Sequence, residues 1–416
     1  MIGLKIALRN IVKNSRRSVF TMVAIGVGFA AVNMFGGFQA YIFQGMRDAL
    51  IYAQAQGHVS VFAKRVVTPE NENEFGSTLI TPLENKAIRE EIAAYPELIL
   101  ATEHIQISGL LSNGDISMVF IATGRVPSHT DLIRSHAKGM IGKLKLFDGK
   151  PLLDNMPYGI GVSAGLAEKL HVRLDSDVIV MGPTVDGQIN AMDAKILQLL
   201  ESPAAELNDK FILVPMDFAK SLYNTQGVDR ILILLQDTKD SEAVRDRLNR
   251  VFQEKGLGLE AKSWEEITPF YTKVKDLFNV IFCFLFVIVL VIVVMSVVNT
   301  MSMAVMERIR EVGTIRAMGV KQRGVIRQFA LESVLLSCLG SVLGVGMTFL
   351  GWLLVKIIEP TWVPPHITIR VPVEVYMVPE YMLITAFVLV ILSMGAAIFP
   401  ARKAARMNIV EALGHT

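Results

Sequence analysis

Residues 277–306 read LFNVIFCFLFVIVLVIVVMSVVNTMSMAVM, and residues 307–320 follow as ERIREVGTIRAMGV. The first stretch holds no Asp, Glu, Lys or Arg. It is longer than the ~20 mostly apolar residues that carry a helix across the hydrocarbon core of a bilayer. The second interleaves cations, anions and apolar residues, the pattern of a helix with one wet and one dry face. Three further uncharged stretches, Ser18–Met46, Ser333–Val355 and Tyr381–Ala401, also reach spanning length. A long, charge-rich segment separates the first span from the second, and short loops separate the others. The fold this predicts is an α-helical membrane protein with four transmembrane helices plus a large α+β extracytoplasmic domain.

The expected layout runs as follows: 1–17, an amphipathic N-terminal helix at the cytoplasmic surface; 18–45, the first membrane helix; 46–275, the large domain; 277–306, the second membrane helix; 307–327, a cytoplasmic loop with a short helix. Then come 330–355, the third membrane helix; 356–380, an outer loop; 381–401, the fourth membrane helix; and 402–416, a cytoplasmic tail. Orientation follows from charge. Segment 46–275 holds 25 Lys and Arg against 31 Asp and Glu, whereas the rest holds 16 against 8. The excess cations flank helix ends: Lys5, Arg9, Lys13, Arg16 and Arg17 before the first, Arg308, Arg310, Arg316, Lys321, Arg323 and Arg327 after the second, and Arg402, Lys403 and Arg406 after the fourth. By the positive-inside rule both termini and loop 307–327 are cytoplasmic, and the large domain and loop 356–380 face outward. The first helix is expected to be retained, because Ala30-Ala31-Val32-Asn33 makes a poor cleavage site.

The large domain is expected to hold by its own core, since Cys283 and Cys338 both fall in membrane helices. Pro82–Ala94 has helical spacing behind an N-terminal Pro. Ser112-Asn113-Gly114-Asp115 between apolar runs signals a hairpin, because Asn and Gly tolerate positive φ. Arg230–Leu235 and Leu257–Lys262 read as strands around a helix at Ser241–Lys255. Blocks before Arg125 and after Asp229 then form a split α/β subdomain, with 126–228 a strand-rich insertion. Trp264–Lys275 is expected to run as a helix into the second span. The scattered histidines give no metal-ligand spacing, so no metal site is expected.

Three motifs resemble a known family. Asn299-Thr300-Met301-Ser302-Met303-Ala304-Val305-Met306 followed by ERIREVGTIRAMGV is similar to the helix end and coupling helix of the FtsX/MacB/LolCE-type ABC transporter permeases. Ala7-Leu8-Arg9-Asn10-Ile11 with Arg16-Arg17-Ser18 resembles their N-terminal signature. Pro400-Ala401-Arg402-Lys403-Ala404-Ala405-Arg406 with Ile409-Val410-Glu411-Ala412-Leu413 resembles their C-terminal one. Length and the lack of an ATPase domain bring the chain nearer the lipoprotein-releasing (LolC/LolE) branch than the fused MacB type.

The resemblance implies a multi-pass permease subunit of a cell inner membrane with its large domain periplasmic, not itself an enzyme and with no catalytic residues. Two copies of a separate ABC ATPase would bind ATP and Mg, so no cofactor is expected here; the chain has no GxxxxGK[ST] loop. A second permease protomer would complete a homodimer or related heterodimer. Membrane lipids, a periplasmic carrier or adaptor, and no nucleic acid complete the expected partners. Motion of the outer domains, mechanotransmission, would carry the work. Lipoprotein or lipid release is the first substrate expectation. MacB-like drug or peptide efflux, and an FtsX-like signal relay to a cell-wall hydrolase, are the alternatives.

Expected site residues fall in three sets. Glu307, Arg308, Arg310, Glu311, Val312, Gly313, Arg316, Ala317 and Gly319 would couple to the ATPase, with Gly313 and Gly319 breaking the helical run. Phe35, Phe38, Phe43, Val280, Phe284 and Val287 would wall a cleft for an acyl chain, framed in a dimer by the first and second membrane helices of opposite protomers. Gly340, Gly344, Asn33 and Asn299 would serve helix packing, the glycines by close approach and the asparagines by hydrogen bonds.

Overall fold

The computed structural model describes residues 2–13, 15–64, 78–137, 147–200, 205–362, 370–408 and 412. Ile409, Val410, Glu411 and Leu413 of the C-terminal motif, and the middle of loop 356–380, lie outside these residues. The chain divides into two compact units, one from Met1–Phe43, Val274–Pro360 and Pro372–Thr416, the other from Gln44–Lys273 and Thr361–Val371.

Helix α1 (Ile2–Lys13) precedes α2 (Ser15–Asp48), which continues as a π turn over Ala49–Ala53. In the second unit the chain lays down β1 (Val59–Ala63), α3 (Pro82–Ile92), β2 (Leu98–Ser112) and β3 (Ser117–Arg125). Next come α4 (Pro127–Ser135), β4 (Phe147–Gly149), β5 (Gly159–Ser163), α5 (Ala164–Lys169), β6 (Asp177–Pro183) and β7 (Ile189–Leu200). It closes with β8 (Phe211–Pro215), α6 (Met216–Tyr223), β9 (Arg230–Leu235), α7 (Ser241–Glu254), β10 (Leu259–Ser263) and α8 (Trp264–Ile267).

Two motifs share one sheet. Strand order β10-β1-β9-β2, all antiparallel, with α3 and α7 as the connecting helices, is a split βαβ arrangement. Its helices form for local reasons. Thr81 caps α3 in a reciprocal box with Glu84, and Pro82 fits the first turn. Val244, Leu248 and Phe252 of α7, four apart, bury one face. The second motif is a closed ring. β2 pairs with β3, β3 with β8, β8 with β5, β5 with β7, β7 with β6, and β6 returns to β2. Closure removes the edges of these six strands. The β2–β3 turn follows the Asn-Gly signal: Asn113 Oδ1 accepts from the amides of Asp115 and Ile116, and Gly114 has φ +99°.

The insertion differs from its sequence reading in one respect. β3 belongs to the ring, not to the split subdomain, and β2 serves both motifs. The split helix at 264–275 also differs: α8 ends at Ile267, Thr268 is non-helical, and a new helix starts at Pro269. Proline there has no amide to continue the earlier ladder.

The first unit adds α9 (Pro269–Glu307, its opening residues in the second unit), α10 (Ile309–Ala317), α11 (Gln322–Ile358) and α12 (Pro379–Arg406). Among the described residues, four helices, α2, α9, α11 and α12, are long and apolar enough to cross a membrane. Ile11, Ile25, Phe29, Val293, Val297, Met301, Leu336, Leu389 and Ala397 form their shared core. Small residues set the approach. A Cβ on Gly344 would stand 2.6 Å from Phe29 Cβ, one on Gly340 2.8 Å from Ile25 Cβ, and one on Gly28 2.8 Å from a Val289 methyl. α11 and α9 therefore meet α2 at glycine contacts. α1 is more than a surface float: Ala7 and Ile11 are buried.

Ring closure rests on Gly109. A Cβ there would lie 1.9 Å from the carbonyl oxygen of Met181, where β6 meets β2. Gly109→Ala should destabilise the outer domain by about 3 kcal/mol, from overpacking against backbone that cannot yield. Gly258→Ala, whose nearest such neighbour is 3.9 Å away, should be near neutral. Thermal unfolding of the two variants checks this; equal melting temperatures would refute it.

Candidate functional site

The α9–α10 junction is built from a helix that stops. Arg308 leaves helical geometry at φ −114° and ψ 17°, and α10 starts one residue later. Its dry face, with Ile309 and Val312 buried, lies over a cluster that includes Val305, Val325, Phe329, Ala401, Ala404 and Ala405. Its wet face carries Arg310, Glu311, Thr314 and Ala317, continuing into Met318, Gly319 and Val320. Gly319, at φ +94°, ends the segment.

The nine residues expected to couple thus divide. Glu307, Arg310, Glu311, Ala317 and Gly319 are exposed, and Glu307 pairs with Arg17 of α2. Val312 and Gly313 are buried, and Gly313 sits inside α10 instead of breaking it, because the apolar cluster stabilises the turn around it. Arg308 turns inward to Glu332 of α11, at 3.2 Å. Arg316 Nη1 donates to the Met407 carbonyl at 2.5 Å, taking a backbone acceptor at the end of α12. Sequence reading missed Glu332, Met318 and Val320. Glu332 stands immediately before the uncharged run at Ser333 and looks like a flank.

The acyl-cleft residues are not gathered within one chain. Phe35 stacks on Phe278 and Phe282, with ring centroids 6.5 and 6.0 Å apart, and Phe43 meets Phe278 edge-on at 5.7 Å. Phe38 is half-buried, while Val280, Phe284 and Val287 are exposed on α9. Phe278 and Phe282 were legible as an i,i+4 pair. Of the packing set, Gly340 and Gly344 make the contacts given above. Asn33 Nδ2 donates to its own helix at Phe29 O, 2.8 Å away, and Asn299 is exposed. Polar links between α2 and α9 are instead Thr21 to Thr300, oxygen to oxygen at 2.6 Å, and Gln39 Nε2 donating to Asn279 Oδ1 at 2.8 Å, beside the Arg17–Glu307 pair.

A second constellation lies where the outer domain receives the membrane chain. The π turn leaves its last carbonyls without intrahelical donors. Arg125 Nη1 donates to Gln54 O at 2.7 Å, and Arg134 Nε donates to Ala53 O at 3.3 Å. Cations at a helix C-terminus are favoured by its partial negative charge. Burial lowers the pKa of both, that of Arg125 to about 9. Nearby, the Leu235 amide donates to His58 Nδ1 at 3.0 Å, which puts the ring proton on Nε2, facing Thr238 Oγ1 at 3.1 Å. The Trp264 amide donates to His58 O at 3.0 Å. β1, which follows the first span, and β10, which precedes the second, are thereby stitched side by side.

This arrangement contains no nucleophile–base set that we could assign to catalysis, and among the described residues no group of His, Cys, Asp and Glu could hold a metal ion. Residues 283–409, from within α9 past the end of α12, match the family described as FtsX-like permease C-terminal. The chain is 24% identical to the uncharacterized ABC transporter permease YknZ of Bacillus subtilis (strain 168), over 99% of this chain and 98% of that protein. It is 33% identical to the macrolide export ATP-binding/permease protein MacB 1 of Yersinia pestis bv. Antiqua (strain Antiqua), over 28% of this chain and 16% of that protein. The periplasmic region of MacB from Actinobacillus actinomycetemcomitans aligns with 51% of this chain and 91% of that one, at TM-score 0.36 and 11% identity. That likeness is too slight to build on. Residues 283–409 thus carry an FtsX-like permease C-terminal domain. More particularly, the chain is similar along its length to the permease YknZ, and over a shorter stretch to MacB. These matches do not single out the lipoprotein-releasing branch.

His58 gives the outer domain a pH dependence. It is fully buried, and burial, then Arg47, lowers its pKa from 6.5 to about 4. The unfolded chain takes up this proton near pH 6.5 and the folded chain only near 4. Its neutral form therefore contributes fully above about pH 6.5, and that contribution is lost as pH falls toward 4, up to roughly 3 kcal/mol. Melting temperature should fall more steeply between about pH 7 and pH 5 in the wild type than in His58→Asn. Parallel slopes would refute the assignment.

Proposed function

We propose that this chain is the membrane subunit of an ABC transporter whose ATPase is a separate chain, and that the exposed face of α10 is where that ATPase docks. The observation that carries the reading is α10 itself. Nine residues form a helix that buries one apolar face and presents Arg310, Glu311 and Thr314 to water, inside the matched domain. ATP and Mg then belong to the partner, and two permease protomers with two ATPase subunits make the working complex. α9 favours a second copy or lipid as its neighbour, because Leu277, Val280, Phe284, Val287, Val291 and Met295 are all exposed.

The basic flanks support a topology with both termini and α10 in the cytoplasm and Gln44–Lys273 on the outer side. Work done at α10 would reach the outer domain as movement, with no solute channel through the bundle. The substrate would be amphipathic. Export of such a compound is favoured over lipoprotein release, because MacB 1 is named for macrolide export and neither sequence relative above is named for lipoproteins.

Arg310→Glu with Glu311→Lys should leave membrane insertion intact and abolish co-purification of the ATPase or its stimulated hydrolysis. Retention of both would sink the docking assignment. For orientation, single cysteines at Asn113 and Gln322, with Cys283 and Cys338 replaced, should label oppositely with an impermeant thiol reagent in intact cells made permeable only at the outer envelope. Asn113 should react and Gln322 should not; the reverse pattern inverts the topology.

A further inference from the structure

We propose that Glu332 is a positioning residue for coupling: its buried carboxylate sets how α10 stands against α1 and α11, and passes the movement of α10 to both. The proposal rests on α10 being the ATPase seat. One oxygen is the meeting point. Glu332 Oε2 accepts from Arg308 Nη1 at 3.2 Å, at the break between α9 and α10. The same atom accepts from Asn10 Nδ2 of α1 at 3.5 Å. The side chains of Arg308 and Glu332 keep only 10% and 5% of their exposure. Arg308 Nη2 has no hydrogen-bond partner among the described residues, and the guanidinium meets the carboxylate through Nη1.

The neighbouring contacts constrain that angle less. A helix of nine residues is too short to hold itself in water. The apolar cluster beneath Val312 rewards burial without direction. The Arg17–Glu307 pair is about half exposed and so weak. Arg316 on Met407 O ties only the far end of α10. A buried pair is a poor source of stability, because desolvation offsets the attraction, and apolar residues of similar volume often replace it without loss. What such a pair does supply is one geometry: the carboxylate holds its donors at fixed distance, and moving α10 drags that oxygen's other donor, and α11 itself, along.

This separates a structural role from a positioning one. The experiment uses the full chain purified with its ATPase, with Cys283 and Cys338 replaced and spin labels at Asn113 and Gln322. ATP with vanadate should change the label distance in the wild type. Arg308→Met with Glu332→Leu should match wild type in membrane yield, melting temperature and ATPase co-purification. Its KM for ATP should stay within about twofold, while kcat falls about tenfold and the vanadate-driven change disappears. A pair with only a structural role predicts that this double variant keeps the change, and that result overturns the proposal. Should the double variant fail to assemble, Glu332→Gln decides: it keeps the volume and loses the charge, and a wild-type distance change in it overturns the proposal equally. If Arg310→Glu with Glu311→Lys leaves the ATPase bound and stimulated, the docking reading fails instead, whatever Glu332 does.

Discussion

Every hydrogen-bonding group shut away from water must find a partner, and this molecule is arranged around that demand. Across the bilayer the answer is the continuous helix, whose ladder consumes each amide and carbonyl internally. The demand returns where helices stop, because the last turn has carbonyls and no donors. Arginines take up the ends. Arg134 and Arg125 close the π turn that extends α2. Arg316 reaches the carbonyl at the end of α12. Arg308 marks the end of α9 by turning its own charge inward. The guanidinium suits this work because it stays charged when buried and presents several donors in a fixed fork.

The outer domain meets the same demand with strands. A split βαβ sheet alone would leave β2 an open edge, exposing unpaired groups. The chain instead carries β2 on for 15 residues, pairs its first half with β9, and bends its second half into a ring. The two motifs then share a strand and need no linker, so one cannot turn freely against the other. Ring closure brings backbone against backbone at Gly109, where a methyl group has no room.

What could be read in the sequence is what is local. Uncharged runs gave the four spans, Asn113-Gly114 gave the turn, and the spacing in Ser241–Glu254 gave α7. The alternation after Glu307 gave α10. What could not be read depends on contacts distant in the chain. Gly109 carries no local sign that β6 will return to it from Met181. Arg125 and Arg134 enter a charge count as surface cations, although the fold buries them against Ala53 and Gln54. Gly313 looked like a helix breaker because propensity ignores the cluster that buries it. Arg308 and Glu332, 24 residues apart, looked like two flanks of two separate spans. Their pairing exists only once α9, α10 and α11 are brought side by side.

That last pair bears on how a membrane subunit can be driven from one small helix. Glycine contacts such as Gly344 on Phe29 let helices lie close, and close apolar surfaces are good at holding distance. They are poor at resisting a slide, since one apolar register buries nearly as much as its neighbour. A buried polar contact is different, because a displacement of an ångström or two breaks it and strands a charge. The polar contacts here sit where sliding would waste a push: Thr21 on Thr300 between α2 and α9, Ser333 on the Ser393 carbonyl between α11 and α12, and Arg308 on Glu332 beneath α10. Apolar area gives the bundle its cohesion, and these few directional contacts fix the register of its helices.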